Sequence, residues 1–166
     1  MVRFLIMDVD GTLTDGKIYI GQQGEVMKAF NVKDGYAISV ALPEHNITAV
    51  IITGRESRIV ALRCRELGIV ECHQRVNDKL QCLHSLLQRY GQQDKTTYGL
   101  SDVAYIGDDL TDYDCMRAIK EAGGYVGCPA DAVTQIKQMA DFVSTKNGGD
   151  GAVREYIEWL LNVSRS

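Results

Sequence analysis

The sequence predicts an α/β fold in which a Rossmann-like parallel sheet carries helices on both faces. Short apolar segments alternate with longer amphipathic stretches along the 166 residues, and the apolar segments are nearly continuous. Strands of that composition occur in parallel sheets that helices cover on both sides. The chain contains only two prolines and no low-complexity segment, so we expect a single domain over residues 1–166.

Five segments predict strands of this sheet, and one predicts a hairpin. The three core strands are RFLIMDV, ITAVIIT and SDVAYIG, and each of them runs into polar residues. The shorter segments GYVG and DFVS add two strands near the end of the chain. Between the first two core strands, KIYIGQQGEVMKAF predicts a β-hairpin at about residues 17–30.

Helices are predicted between the strands. The stretch DGYAISVALPEHN predicts a helix that stops near Pro43, and ESRIVALRCRELG predicts one that ends at Gly68. NDKLQCLHSLLQRYG predicts a helix that is capped by Asn77 or Asp78 and ends at Gly91. Two more helices are predicted, one from Thr111 to about Ala122 and one over GAVREYIEWLL within a C-terminal segment over about residues 147–166, while ADAVTQIKQMA lies between the two short strands.

The composition is ordinary for a soluble globular protein and argues against several other classes. A net charge of −4 without a basic run disfavours a nucleic-acid partner. No apolar run is long enough to cross a bilayer, and the N-terminus does not resemble a signal peptide. The five cysteines form no C-x-x-C pair and no zinc-type spacing with histidine, which favours reduced thiols in the cytoplasm.

Polar clusters follow all three core strands. FLIMDVDGTLTDG brings Asp8, Asp10 and Asp15 to the end of the first strand, while TGR follows the second and GDDLTD follows the third. Ligands of parallel sheets bind beyond the carboxyl ends of the strands, so these clusters predict one site at one sheet edge. Each cluster taken singly is also compatible with a turn or a helix N-cap.

The residue types at this edge predict magnesium-dependent chemistry. Several carboxylates in a small volume supply the hard oxygen ligands that Mg²⁺ prefers. The sequence contains neither a P-loop pattern nor G-x-S-x-G, so we look for the nucleophile among the acids. With a metal ion to offset charge repulsion, an aspartate can attack phosphorus and form an aspartyl-phosphate.

Four motifs resemble those of the haloacid dehalogenase superfamily of phosphohydrolases. They are D-x-D-G-T-L-T at Asp8 to Thr14, then Thr53, Lys79, and G-D-D-x-x-D at Gly107 to Asp112. The resemblance implies that Asp8 is the nucleophile and that Asp10 protonates the leaving group and then activates water. It also implies that Thr53 and Lys79 hold the phosphoryl oxygens. The implied Mg²⁺ ligands are Asp8, the backbone carbonyl of Asp10, and Asp108, supported by Asp109 and Asp112.

Within this superfamily, the chain is similar to the 3-deoxy-D-manno-octulosonate 8-phosphate phosphatases from about Phe4 to Leu161. The similarity is carried by DGKIYIGQQGEVMKAFNVKDG, TGRES, LGI and GGDGAVREYIEWLL, and the motif spacing leaves no room for a cap domain. The resemblance implies a homotetramer in which hairpins form a central barrel, with Ile18, Tyr19, Ile20, Val26 and Phe30 in its wall. It also implies that the C-terminal segment, including Arg154, enters a neighbour's site, and that the protein serves lipopolysaccharide biosynthesis.

The identity of the sugar acid depends on the residues after the second motif. Gly54 and Arg55 are predicted to bind substrate, because a guanidinium meets a sugar-acid carboxylate in a bidentate way and Arg after TG marks the octulosonate branch. Thr111 stands where the family usually has Asn, which leaves a nonulosonate 9-phosphate open as the substrate. A non-catalytic tetramerising relative of a cytidylyltransferase domain is a further alternative, although the intact motif residues argue against it. A phospho-acceptor receiver domain is disfavoured, because receivers lack the D-x-D spacing.

Overall fold

A computed structural model describes residues 1–164 of the chain. Its strands form a six-stranded parallel sheet and a separate two-stranded antiparallel hairpin. In chain order the strands are β1 (Phe4–Met7), β2 (Tyr19–Gly21), β3 (Gly24–Met27), β4 (Thr48–Ile52), β5 (Glu71–His73), β6 (Val103–Ile106), β7 (Tyr125–Cys128) and β8 (Phe142–Val143). The order in the larger sheet is β5-β4-β1-β6-β7-β8, and the hairpin consists of β2 and β3.

Helices cover both faces of the larger sheet, which confirms the predicted fold class. They are α1 (Val32–Tyr36), α2 (Leu42–Glu44), α3 (Arg58–Glu66), α4 (Lys79–Asp94), α5 (Leu110–Glu121), α6 (Thr134–Met139) and α7 (Ala152–Val163). Alternate side chains of β1 point to opposite faces. Leu5 and Met7 join a core with residues of α3 and α7, whereas Phe4 and Ile6 join a core with residues of α4, α5 and α6.

Strand β5 was not predicted. It is an edge strand that pairs with β4, and its sequence, ECH, lacks the apolar run that marks the inner strands. Its first residue, Glu71, is buried and accepts hydrogen bonds from Arg89 and Tyr90 of α4. A polar strand of this kind depends on partners that are distant in sequence, so periodicity alone does not reveal it.

Of two predicted helix ends, one is confirmed and one was wrong. The predicted stop near Pro43 is confirmed: α1, a π-helical turn over Ala37–Ala41 and α2 follow one another without a break, and α2 ends at Glu44, directly after Pro43. Helix α4 continues past Gly91 to Asp94 and ends where Lys95 adopts a left-handed conformation. Gly91 is needed because a Cβ there would lie 2.8 Å from the carbonyl oxygen of Thr96 in the returning chain.

The two segments between the motifs contain no cap domain, as the motif spacing predicted. Between Asp10 and Thr53 it forms the hairpin, α1, the π-helical turn, α2 and β4. Between Lys79 and Gly107 it forms α4, a 3₁₀ turn over Leu100–Asp102 and β6. Within residues 1–164, no helix is both long and apolar enough to cross a membrane.

Candidate active site

The sheet register brings the three polar clusters to one level. Met7 of β1 is paired with Ile51 of β4 on one side and with Ile106 of β6 on the other. The residues that follow these strands therefore emerge side by side at the carboxyl edge. They line a cleft of about 340 Å³ that is formed by Asp8, Asp10, Thr53, Gly54, Arg55, Val76, Asn77, Lys79, Asp109 and Thr111.

Asp112 is a fully buried carboxylate with a donor on every side. Its Oδ1 accepts hydrogen bonds from Lys79 Nζ at 2.6 Å and from the Tyr105 hydroxyl at 2.7 Å. Its Oδ2 accepts the backbone N–H groups of Asp108 at 3.1 Å and Asp109 at 3.3 Å. These bonds fix the loop after β6 and hold the lysine at the same time.

Lys79, the first residue of α4, is a buried cation between two acids. Its Nζ lies 2.9 Å from Asp8 Oδ1 and 2.6 Å from Asp112 Oδ1. Burial by itself would lower the pKa of Lys79, but Asp8 and Asp112 outweigh it and raise the pKa above its usual value. Lys79 therefore stays protonated at neutral pH and places a fixed positive charge at the cleft.

Asp8 and Asp108 lack the full compensation that Asp112 has. Asp8 Oδ1 has no hydrogen bond of good geometry among the described residues, although Lys79 is near. Burial raises the pKa of Asp8 to about 6, with Asp112 adding to the rise and Lys79 opposing it. Asp108 accepts one hydrogen bond from Thr12 Oγ1 at 3.0 Å, and burial together with Asp8 and Asp112 raises its pKa to about 7.

The loop after β1 packs tightly against the loop after β6. Gly11, which follows Asp10, has a φ of +92°, and a Cβ there would lie 2.0 Å from Asp108 Oδ2. Only glycine fits this backbone conformation and this approach without strain. The glycine of D-x-D-G thus lets the two acidic loops meet.

These acids fit a divalent cation. Asp8, Asp108 and Asp112 each offer a carboxylate oxygen, and the three atoms lie within 4.8 Å of one another. Asp112 is already saturated with donors, so Asp8 and Asp108 hold the oxygens that are free to coordinate. A small cation would relieve the mutual repulsion of Asp8 and Asp108 and the burial of Asp8, which the ion pair with Lys79 offsets only in part, and carboxylate oxygens are the ligands that Mg²⁺ prefers.

Asp10 lies on the hairpin side of the cleft with two cations beside it. Its Oδ1 forms an ion pair with Lys28, and its Oδ2 lies 3.6 Å from Arg55 Nε. Lys28 was not predicted as a site residue, because its separation from Asp10 matches no helical or strand period. The sequence feature that indicates Lys28 is a lysine three residues after a glutamate, in a predicted hairpin that follows an acidic motif.

Four other predicted site residues, together with Thr111, line the cleft and differ in how exposed they are. Thr53 is buried, and Gly54 and Arg55 are exposed beside it, while Asp109 caps α5 and Thr111 lines the cleft from the first turn of that helix. All five of these residues line the cleft of their own chain.

Arg154 does not line this cleft. Its Nε pairs with Glu158 at 2.5 Å, and its guanidinium stacks on Tyr36. Helix α7 buries Tyr156 and Ile157 in the core of its own chain.

The C-terminal segment predicted over 147–166 packs against its own chain. The backbone N–H of Gly149 bonds to the carbonyl oxygen of Thr12 in the loop after β1, and that of Gly148 bonds to Asp131. Residues 165 and 166 lie outside the described residues.

Proteins of known classification share both the sequence and the fold. No family model matches the chain. The 3-deoxy-D-manno-octulosonate 8-phosphate phosphatase KdsC of Salmonella typhi is 44% identical over 160 residues, which are 96% of this chain and 79% of that protein. The same phosphatase from Moraxella catarrhalis, solved with magnesium, phosphate and KDO, superimposes with a TM-score of 0.86 at 39% identity, covering 97% of this chain and 86% of that one.

A third relative connects the chain with the wider superfamily. A Legionella pneumophila structure described as a subfamily III A hydrolase of the HAD superfamily has a TM-score of 0.87 at 32% identity and covers 99% of this chain and 84% of that one. These likenesses confirm the resemblance that the motifs predicted. The chain therefore belongs to the 3-deoxy-D-manno-octulosonate 8-phosphate phosphatase family of the haloacid dehalogenase superfamily.

Proposed function

We propose that the chain is a Mg²⁺-dependent phosphatase that hydrolyses 3-deoxy-D-manno-octulosonate 8-phosphate. The observation that carries the proposal is the buried Asp8 beside the half-buried Asp108, two acids whose protein partners only partly offset their burial, at a cleft that also holds Lys79. The Salmonella typhi relative is named for this activity, and the Moraxella catarrhalis structure contains magnesium, phosphate and KDO.

The proposed chemistry assigns the roles that the family resemblance implies to side chains at this cleft. Asp8 attacks phosphorus and forms an aspartyl-phosphate as the bond between phosphorus and the sugar oxygen breaks, and Asp10 gives a proton to that departing oxygen. Asp10 then takes a proton from the water that attacks the aspartyl-phosphate, which releases phosphate and restores Asp8. Lys79 and Thr53 bind phosphoryl oxygens. Mg²⁺ would be held by Asp8, the backbone carbonyl of Asp10, and Asp108, and when bound it supplies positive charge that offsets the repulsion between carboxylates and phosphate.

Arg55 supports a sugar acid as the substrate. Its side chain is half exposed and lines the cleft, where its Nε lies 3.6 Å from Asp10 Oδ2, so a substrate carboxylate bound in the cleft is within reach of the guanidinium. Gly54 beside it lines the same cleft. A nonulosonate 9-phosphate also carries a carboxylate, so it is the second candidate substrate. Thr111, which lines the cleft where the family usually has Asn, is the residue that supports this alternative.

We propose that the active form is a homotetramer joined through the hairpins. Three apolar hairpin side chains are exposed in the single chain: Ile20 is 66% exposed, Val26 59% and Met27 51%. Exposed apolar groups that lie together mark association surfaces. Phe30, by contrast, packs against its own core and under the guanidinium of Arg63. Sedimentation analysis of the protein and of a Val26→Glu variant tests this assembly, and a monomeric wild type would contradict it.

The proposed location is the cytoplasm, and the proposed role is in lipopolysaccharide biosynthesis. All five cysteines are free thiols, two of them only partly buried, which suits a reducing compartment. The role follows from the octulosonate for which the relatives are named.

A phosphate-release panel tests the activity. Octulosonate 8-phosphate, nonulosonate 9-phosphates, hexose phosphates and an aryl phosphate are compared with Mg²⁺, after chelation, and with Ca²⁺, whose longer and looser coordination should support turnover poorly. We expect the octulosonate to be hydrolysed fastest and chelation to stop turnover.

Arg55→Met should lose the preference for sugar acids, whereas the exposed Arg58→Met should keep it. A faster rate on a nonulosonate would overturn the choice of substrate, and no rate on any phosphate would overturn the activity.

A further inference from the structure

Lys28 is a buried lysine that connects the hairpin to the active site. It follows β3 directly, and its ammonium contacts Asp10 Oδ1 and lies 2.9 Å from Glu25 Oε1. Its side chain is 1% exposed, whereas that of Lys17, on the other arm of the hairpin segment, is 73% exposed and pairs with Asp15. Burying a lysine is costly unless its charge is paired, so this contact is specific to the fold.

Glu25 fixes the other side of Lys28. Its Oε2 accepts a hydrogen bond from the Ser57 hydroxyl. Ser57 is also the N-cap of α3, where its Oγ accepts the backbone N–H of Val60 at 3.3 Å. A continuous chain of contacts therefore runs from the helix after the second motif, through the hairpin, to the second aspartate of the first motif.

The two oxygens of Asp10 have different surroundings. Oδ1 is occupied by Lys28, while Oδ2 lies near the half-exposed Arg55 in the cleft. An aspartate held by one oxygen has its χ angles fixed, and its second oxygen then points in a constant direction. Proton transfer requires such a fixed direction, because donor and acceptor must stay within hydrogen-bond reach.

We propose that Lys28 is a positioning residue for Asp10. By holding Oδ1, Lys28 presents Oδ2 to the leaving oxygen of the substrate and then to the attacking water. This inference rests on the proposed function, in which Asp10 is the acid and base. It also makes the hairpin, and not only the sheet edge, a part of the catalytic machinery.

Kinetics of Lys28→Met test the inference against a purely structural role. We expect kcat on an alkyl phosphate to fall about 10- to 100-fold while KM changes little, because a misplaced Asp10 transfers the proton less efficiently and substrate binding is retained. Across a series of aryl phosphates, the rate should depend more steeply on the pKa of the leaving group, since poor leaving groups need the proton most. Lys28→Arg, which keeps the cation, should recover part of the loss, and Lys17→Met should behave as wild type.

A crystal structure of Lys28→Met tests the positioning independently of any activity. We expect Asp10 to adopt a new or a second side-chain conformation in the variant. An unchanged Asp10, or an equal loss on all leaving groups together with a lower melting temperature, would overturn the inference. If Lys28→Met does not fold, Lys28→Gln replaces it in both experiments. Failure of the proposed function is distinct, because it would show as an inactive wild type whatever Asp10 does in the variant structure.

Discussion

Two buried carboxylate groups of this protein are built in opposite ways. Glu71, at the edge of the sheet, accepts both terminal N–H groups of Arg89 at 3.0 and 2.8 Å, the Tyr90 hydroxyl at 3.1 Å, and lies 2.8 Å from His73 Nε2. The hydrogen bonds from Arg89 lower the pKa of Glu71 and outweigh its burial. Asp8, directly after the central strand β1, is as buried as Glu71, but its pKa is raised.

The difference separates a structural carboxylate from a reactive one. Where the protein supplies every partner, the ionised acid stabilises the fold and has no oxygen left for chemistry. Where the protein's own partners only partly offset the burial of the ionised acid, as at Asp8 and Asp108, that acid destabilises the metal-free fold, and binding of a cation removes the penalty. Changing carboxylate to amide should therefore have opposite effects on stability at the two places.

The largest effect is expected from Asp8→Asn. Because an amide cannot attack phosphorus, kcat on the preferred phosphate should fall about 10⁴-fold or more. The metal-free variant should nevertheless be more stable than wild type by about 1 to 2 kcal/mol at pH 8, since a desolvated charge is removed. Denaturant unfolding with and without Mg²⁺, beside single-turnover kinetics, measures both. Residual activity in a pure preparation, or a destabilised metal-free variant, would contradict this assignment.

Asp10→Asn should have the second-largest effect on turnover. The amide neither gives nor takes the required proton, so kcat should fall about 100-fold or more, with Mg²⁺ affinity retained through the backbone carbonyl. Steady-state rates and calorimetric titration with Mg²⁺ provide the measurement. A rate equal to that of wild type would show that Asp10 contributes only its backbone.

Asp34 tests whether a raised pKa alone marks a reactive site. Asp34 Oδ1 accepts the backbone N–H of Arg154 at 2.7 Å, but Oδ2 has no hydrogen-bond partner among the described residues. Burial raises its pKa to about 6, with Asp150 adding to the rise and Arg63 opposing it. Yet Asp34 lies outside the acidic cluster and the cleft.

The raised pKa has a defined consequence for stability. The folded state binds more protons than the unfolded state between about pH 4 and 6, so the contribution of Asp34 to stability falls as pH rises through that window. Relative to wild type, Asp34→Asn should gain up to about 3 kcal/mol from pH 4 to 7, without loss of turnover. Urea unfolding over this range measures the difference, and a constant difference between the two proteins would refute the pKa shift.

The sequence predicted the parts of the fold and the site that depend on local pattern. Apolar runs identified β1, β4 and β6, and motif spacing identified the acids that follow them. It missed β5, because a polar strand becomes buried only through Arg89 and Tyr90 from a distant helix. It missed Lys28 for the same reason: the hairpin meets the site only after folding, and no local period records that contact.

The smallest expected effect is that of Glu71→Gln, and it completes the comparison with Asp8. The amide keeps the shape of the side chain but loses the charge that binds Arg89, whose guanidinium is partly exposed and so partly screened by solvent. We expect the free energy of unfolding to fall by about 1 to 2 kcal/mol at pH 7, and kcat to stay within about twofold of wild type. Because the pKa of Glu71 is lowered in the folded state, the loss should diminish as pH falls through that pKa and Glu71 becomes protonated in wild type as well.

Arg117→Gln, which breaks an exposed pair with Asp114, is the matched control and should change stability by less than about 0.5 kcal/mol. If Glu71→Gln were as stabilising as Asp8→Asn is expected to be, hydrogen-bond partners would not be what distinguishes the two carboxylates.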